Sequence, residues 1–461
     1  ERSTTTFNHF PPPQNSMMRE DTTSFDEVVA LSSSSSKSSS AGGEKHDVFV
    51  PGRLCLLGEH SDWAGGFRRE HPSLHVGACL VVGTSEGISA TAFALRENTI
   101  VAIRTKTFSG ETKDLVLEVK PEDVERDLSR VAKEGKFWSY IAGTIKEVYK
   151  KYGVLGGMCL EVTQCSLPVK KGLSSSAAIC VLVARAFAKC YGIEKEMNVL
   201  EQMEMAYLGE IATPSRCGRM DQACAFGSGV CVTMYFDGDE MKCEETPVGS
   251  EKRTTTNGDE STSNSNRNID SSGGISSNSS KNNNKEELFY IVLCDLEGEK
   301  NTVKILKDLQ SAFANVPPSL DDENSSCHAD AQKFLGELSY EYVQTAKRAL
   351  ATGNAKLLGR TFSEYQRAFD AHLAPLCASE LASPKLHALL ADPKVKIYSY
   401  GGKGVGSQGD GSAQFVARDA FQADLLQKHL RNVWKLEHVT RVVIKKTSSS
   451  SEKNDDFDDT S

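Results

Sequence analysis

The chain has 461 residues, 39% of them hydrophobic and 25% charged, with a net charge of −9 at neutral pH. These figures describe an ordinary globular protein of two or three domains, and the acidic balance argues against a general nucleic-acid binder, which carries a basic footprint. No apolar run reaches the roughly 18 residues of a membrane-spanning helix.

Three stretches are too poor in apolar side chains to offset their ordering entropy and are expected to be disordered. Residues 1–45 carry the serine run from Ser32 to Ser40, broken only by Lys37. Residues 249–284 hold Ile269 and Ile275 as their only large apolar groups, and residues 447–461 end in an acidic cluster. The first stretch lacks both the Arg-rich character of a transit peptide and the apolar core of a signal peptide. The chain starts at Glu1, so an upstream targeting segment is not excluded; the expected location is the cytoplasm. The 13 scattered cysteines, with no CxxC pair among them, fit a reduced intracellular protein better than a disulfide scaffold or a zinc module.

Between these stretches strands and helices alternate. Val48–Leu57 reads as a strand interrupted by Pro51-Gly52, with Cys79–Gly83 and Ile88–Ala94 as two more. Trp138–Tyr149 is helical by its apolar spacing, Met158–Val162 is strand-like, and Ser174–Tyr191 is a helix of small and apolar residues. Val230–Phe236 and Leu288–Asp295 flank the polar insert and read as neighbouring strands with an expanded connection, because long surface insertions cost little. Residues 301–390 are mostly helical; Val395–Tyr400 and Ala413–Ala417 are expected as strands around a glycine-rich loop, and Arg441–Ile444 as a last strand. The class is α+β, in two parts.

Four segments can carry chemistry. Gly172-Leu-Ser174-Ser175-Ser176-Ala177 opens a helix, where free N–H groups and the positive end of the dipole suit a phosphate; a serine-capped helix with close packing is the plainer alternative. Gly58-Glu59-His60-Ser61-Asp62 follows an apolar strand and offers polar groups for several hydroxyls, or is a polar turn. Leu200, Met203 and Tyr207 share a helical face with Glu210, whose inward carboxylate needs a cation or donors, and Asp221 follows the Gly218 loop. Gly401 to Gly411 has six glycines and one literal GxGxxG from Gly404 to Gly409. A strand follows it where a dinucleotide fold needs a helix, so that reading is rejected.

Together, in this order, PGR…GEHxDxxGG, GLSSSAA, GxMDQ and a late glycine-rich loop resemble the GHMP kinase superfamily, galactokinases most closely. Trp138-Ser-Tyr140-Ile-Ala-Gly143 is similar to a further galactokinase element, and the resemblance spans residues 46–446. It implies a two-domain fold with an active site in the cleft, an ATP-binding domain over 46–226 and a C-terminal domain over 227–446 that holds the insert. It implies ATP and Mg²⁺ as cofactors and a sugar as partner, with no nucleic acid and no membrane. Carried over by position, Gly172, Leu173, Ser174, Ser175, Ser176 and Ala177 hold the ATP phosphates, and Trp138 and Tyr140 lie near the base. Ser176 and Glu210 take the metal. Asp221 is the catalytic base with Arg53 beside it, and Glu59, His60, Asp62 and Gly218 bind the sugar.

The pattern also breaks. Arg68 and Arg69 follow the second motif where galactokinases continue apolar; they lie on the surface or reach an anionic substrate group such as a uronate carboxylate. Lys403 stands among the late glycines and is either solvated or on a phosphate. Asp295-Leu-Glu297 replaces the segment that lines the galactokinase sugar site. The expected activity is phosphorylation of an anomeric hydroxyl, with a mevalonate- or homoserine-type kinase and a non-catalytic sugar or ATP sensor as the alternatives.

Overall fold

The computed structural model describes residues 24–34, 44–96, 98–106, 111–118, 120–136, 138–167, 172–215, 217–250, 287–298, 300–314 and 325–447. Of the stretches expected to be disordered, 1–23, 35–43, 251–284 and 448–461 lie outside the described residues. Residues 25–34 do not fit that expectation. They form helix α1 (Phe25–Ser34), whose Phe25 and Val28 are buried against Phe93, Leu95, Ala102 and Cys159. Arg104 lies 4.2 Å over the Phe25 ring and pairs with Asp26, so one aromatic anchor and one ion pair fasten a segment otherwise poor in apolar residues.

Seven strands form the first sheet: β1 (His46–Leu57), β2 (Gly77–Leu95), β3 (Ile100–Lys106), β4 (Thr112–Glu118), β5 (Gly157–Cys165), β6 (Cys231–Asp237) and β7 (Glu240–Glu245). Their order is β4-β3-β5-β2-β6-β7, with β1 running antiparallel to β2. The two strands expected over 79–94 are one 19-residue strand, long enough to pair with β6 through Gly77–Val82 and with β5 through Ile88–Leu95. Pro51 lacks a ladder donor and sits where the β1 register shifts, as proline in a strand requires.

Helices α2 (Ser61–Gly66), α3 (Val124–Lys133), α4 (Ser139–Tyr152), α5 (Ser175–Tyr191) and α6 (Val199–Ile211) belong to this part. In α5 the residues from Cys180 to Ala184 are all buried, because the helix packs against β1 and β2 on one flank and α4 and α6 on the other.

The second sheet has the order β11-β8-β10-β9, from β8 (Glu287–Asp295), β9 (Ser399–Gly404), β10 (Ser412–Ala417) and β11 (Val439–Lys445). Its helices are α7 (Thr302–Ala314), α8 (Ser325–Lys333), α9 (Ser339–Ala351), α10 (Ala355–His372), α11 (Ala378–Leu381), α12 (Pro384–Ala391), α13 (Pro393–Tyr398) and α14 (Ala420–Asn432). The two-residue period of a strand shows in β8. Phe289, Ile291 and Leu293 join the core shared with the first part, while Val292 and Cys294 join a second core with Leu386, Leu426 and Leu430.

Four expectations need correction. β6 and β8 are not neighbours: β6 pairs with β2 and β7, and β8 pairs with β10 and β11. The charged strand β7 completes the first sheet, which therefore extends past the expected boundary at 226, and the insert joins two sheets. Residues 393–398 are helical, not extended, because Asp392 accepts from the N–H groups of Lys394 and Val395 and Pro393 opens the turn. Gly401 to Gly404 lie in β9, so the glycine-rich loop is only the stretch from Val405 to Gly411.

Candidate active site

Between the two parts lies a cleft of about 2250 Å³. Arg53 reaches it from β1 and Asp221 from the start of a 3₁₀ turn over 221–226; the two form an ion pair with Arg53 only 4% exposed. Burial works against the guanidinium charge, and Asp221, with smaller contributions from Cys55 and Cys79, outweighs it, so the Arg53 pKa lies above its ordinary value. Nε and Nη1 of Arg53 are buried without hydrogen-bond partners, so donors are left over for a ligand. The 3₁₀ turn is held by Arg185, which bonds to the Ala225 and Phe49 carbonyls and to Gln202.

Gly172, Ser174, Ser175 and Ser176 line the cleft at the start of α5, whose free N–H groups face it. Leu173 and Ala177 are buried behind this rim, and the Leu173 carbonyl accepts the Arg53 N–H at 3.3 Å, tying the loop to β1. Residues 168–171 lie outside the described residues. Tyr140 lines the cleft from α4 together with apolar Ile88, Ile103, Ile141, Val162 and Ile179. Trp138 is not on that wall; it precedes α4 and packs against the first core.

Glu210, 1% exposed, stands near Asp221. Burial, then the Asp221 charge, push its pKa up to about 7, while hydrogen bonds from Ser176, Cys217 and Gln222 pull the other way. The Gln222 amide donates to it at 2.9 Å; Gln222 sits inside the GxMDQ segment but had no expected role. A buried acid beside a hydroxyl fits a hard divalent cation. Among the described residues no group of three or more His, Cys, Asp or Glu gathers. Mg²⁺ held by Ser176 and Glu210 would thus draw its other ligands from phosphate and water, as that ion commonly does.

The second motif forms the opposite end of the site. Asp62 accepts from Trp63 N at 2.9 Å and from Met220 N at 3.4 Å; burial, then Asp221, raise its pKa. Gly218 lies against this carboxylate, and a Cβ there would collide with it. His60 is left-handed (φ 70°) and buried; its Nδ1 accepts from Trp63 Nε1 at 3.1 Å and its Nε2 has no hydrogen-bond partner. Burial, then the Lys300 charge, pull its pKa to about 4, against a weaker upward pull from the Ser407 backbone. Its neutral ring therefore carries the proton on Nε2.

Glu59 faces the cleft with 1% exposure and is paired with Lys403 of β9, which is 0% exposed and also donates to the Gly404 carbonyl at 2.8 Å. Lys403 is thus neither solvated nor on a phosphate. Arg68 pairs with Asp237 and Arg69 with Asp239 at the rim of β6 and β7, and neither lines the cleft. Their proposed contact with a substrate anion is therefore set aside. The wall from the second part carries Asp295, Glu297, Lys300 and Ser407. Lys300 has no role in the reading of the sequence.

Residues 139–229 match the family described as GHMP kinases N terminal domain. A galactokinase of Clostridium tetani is 25% identical over 215 residues, 45% of this chain and 47% of that protein, so the chain matches about half the length of this curated relative. The structure of Lactococcus lactis galactokinase complexed with galactose superposes with a TM-score of 0.57 at 17% identity, covering 92% of this chain and 98% of that one. Methanococcus jannaschii mevalonate kinase gives 0.55 at 13% identity, covering 88% and 99%. The protein has the two-domain α+β fold of the GHMP kinases. The resemblance to that superfamily and its galactokinase-like character hold. Among the described residues, no helix is long and apolar enough to cross a membrane.

Proposed function

We propose that the protein is an ATP-dependent kinase that transfers the γ-phosphoryl group to the anomeric hydroxyl of a monosaccharide, galactose or a related sugar or uronate, giving a sugar 1-phosphate. The observation that carries this reading is the half-buried Arg53–Asp221 pair on the cleft between the serine rim of α5 and the Glu59-His60-x-Asp62 turn. The free N–H groups and hydroxyls of Ser174 to Ser176 receive the triphosphate, and the apolar wall beside Tyr140 receives the base. Asp221 accepts the proton of the acceptor hydroxyl as its oxygen bonds to the γ-phosphorus and the bond to ADP breaks. The spare donors of Arg53 offset charge on the moving phosphoryl group. Bound Mg²⁺, held by Ser176 and Glu210, would supply further charge neutralisation on the phosphates. Asp62 and His60 orient the sugar hydroxyls, and Gly218 leaves the Asp62 carboxylate its space.

A mevalonate- or homoserine-type kinase is the second reading, supported by the near-equal superposition on a mevalonate kinase. The test is ADP release with Mg-ATP across free sugars, uronates, mevalonate and homoserine. Acceptor-dependent release that Asp221→Asn lowers by roughly 10³-fold or more, with ATP binding retained, is the expected result. Turnover by the Asp221→Asn variant close to the native rate would remove Asp221 from the mechanism. Silence on every acceptor with ATP still bound would favour a sensor.

A further inference from the structure

The acceptor end of the cleft holds a cation, Lys300, that the phosphoryl chemistry above does not use. Lys300 enters it from the loop after β8, and its ammonium donates to the Gln408 carbonyl at 2.7 Å, which uses one of three donors. Gly411 leaves room for it, since a Cβ there would stand 2.5 Å from Nζ. Asp295 is the acid whose charge favours this ammonium from the same wall; one of its oxygens accepts the Glu297 N–H at 3.1 Å. Even so, burial pulls the Lys300 pKa to about 8 against Asp295 and Glu59. A cation in that position gains from an incoming anion.

Two further observations bear on how an anion would be received beside Lys300. The Glu59 charge is met by Lys403 at a fully buried contact. His60 presents a neutral ring whose Nε2–H is buried and faces no partner beyond the Ser407 backbone. An ammonium and a ring N–H at one end of a pocket suit the two oxygens of a carboxylate.

We propose that the acceptor carries a carboxylate and that Lys300, with His60, binds it. This deepens the kinase reading above and rests on it for the word acceptor. Arg68 and Arg69 are spent on Asp237 and Asp239 and take no part.

The test is calorimetric binding to native protein, K300M and K300R of matched pairs: galactose and galacturonate, glucose and glucuronate, mannose and mannuronate, with Mg-ATP titrated separately. In at least one pair native protein binds the acid tenfold or more tightly than its neutral partner. K300M lowers that ratio at least tenfold, and K300R, which keeps the charge, retains most of it. K300R also covers the case in which K300M does not fold. Equal binding of acid and neutral forms, no binding of any, or an acid preference unchanged in K300M would overturn the proposal. So would weaker Mg-ATP binding by K300M with the acid ratio untouched, which would place Lys300 on the nucleotide. Binding is read without turnover, so lost acid preference leaves the kinase reading standing. Acid preference without Asp221-dependent ADP release would defeat the kinase reading alone.

Discussion

Glu59 and Lys403 show how one residue pair joins the two parts of the molecule. Two charges at 1% and 0% exposure have surrendered their hydration, and each other, the Gly404 carbonyl and the rings of Phe362 and Tyr365 stand in for it. Removing one partner leaves the other charge buried and unpaired, which costs about 3–5 kcal/mol. K403M is therefore expected to lose stability of that size in urea unfolding, and E59Q/K403M to recover most of it. A double variant as unstable as K403M would show that Lys403 acts through packing alone. The partners are 344 residues apart, and each has an ordinary polar setting in its own segment. Their pairing is thus invisible along the chain, which is why Lys403 reads there as a stray cation in a glycine loop. Arg53, Asp221, Asp62 and Gly218 are different. Their motifs keep order and spacing, and the fold brings all four to one cleft.

At the scale of elements, the site is precise because the helices behind it cannot shift. Gly143 of α4 meets the backbone of Gly209 in α6, one residue before Glu210, and a Cβ at 143 would collide with the Gly209 carbonyl oxygen. Neither helix can give way without moving Tyr140 or Glu210. G143A is expected to destabilise the protein by about 1–3 kcal/mol, the usual cost of overpacking, seen as a fall in Tm. An unchanged Tm would mean that the contact is slack. Elements with strong apolar periodicity, such as α5 and β5, were legible in the sequence. Those decided by one cap or one anchor were not: α13 depends on Asp392, and α1 on Phe25 with Arg104. β7 escaped because a charged edge strand carries little apolar alternation.

For the whole molecule, the second sheet matters through what it adds to the cleft. β8 has one face in the shared core, so its loop is carried to a fixed place above the motifs of the first part. The Gln414 amide donates to the Cys55 carbonyl at 2.8 Å, a buried bond from β10 to β1 that ties the two sheets together behind the site. The residues proposed to hold the nucleotide come mainly from the first part, while Asp295, Lys300 and Ser407 come from the second. Sequence motifs describe the first set well. The second set depends on sheet order, since the strand carrying its loop was expected beside β6 and stands in the other sheet.

The central claim is transfer of a phosphoryl group to an acceptor hydroxyl with Asp221 as base. It is tested most directly by following Mg-ATP and the acceptor panel by phosphorus NMR. The γ-phosphate signal is expected to move into a phosphate monoester coupled to an anomeric proton, in step with ADP, and to stay in ATP with Asp221→Asn. Inorganic phosphate as the sole product, or ester formation undiminished in the Asp221 variant, would contradict the account.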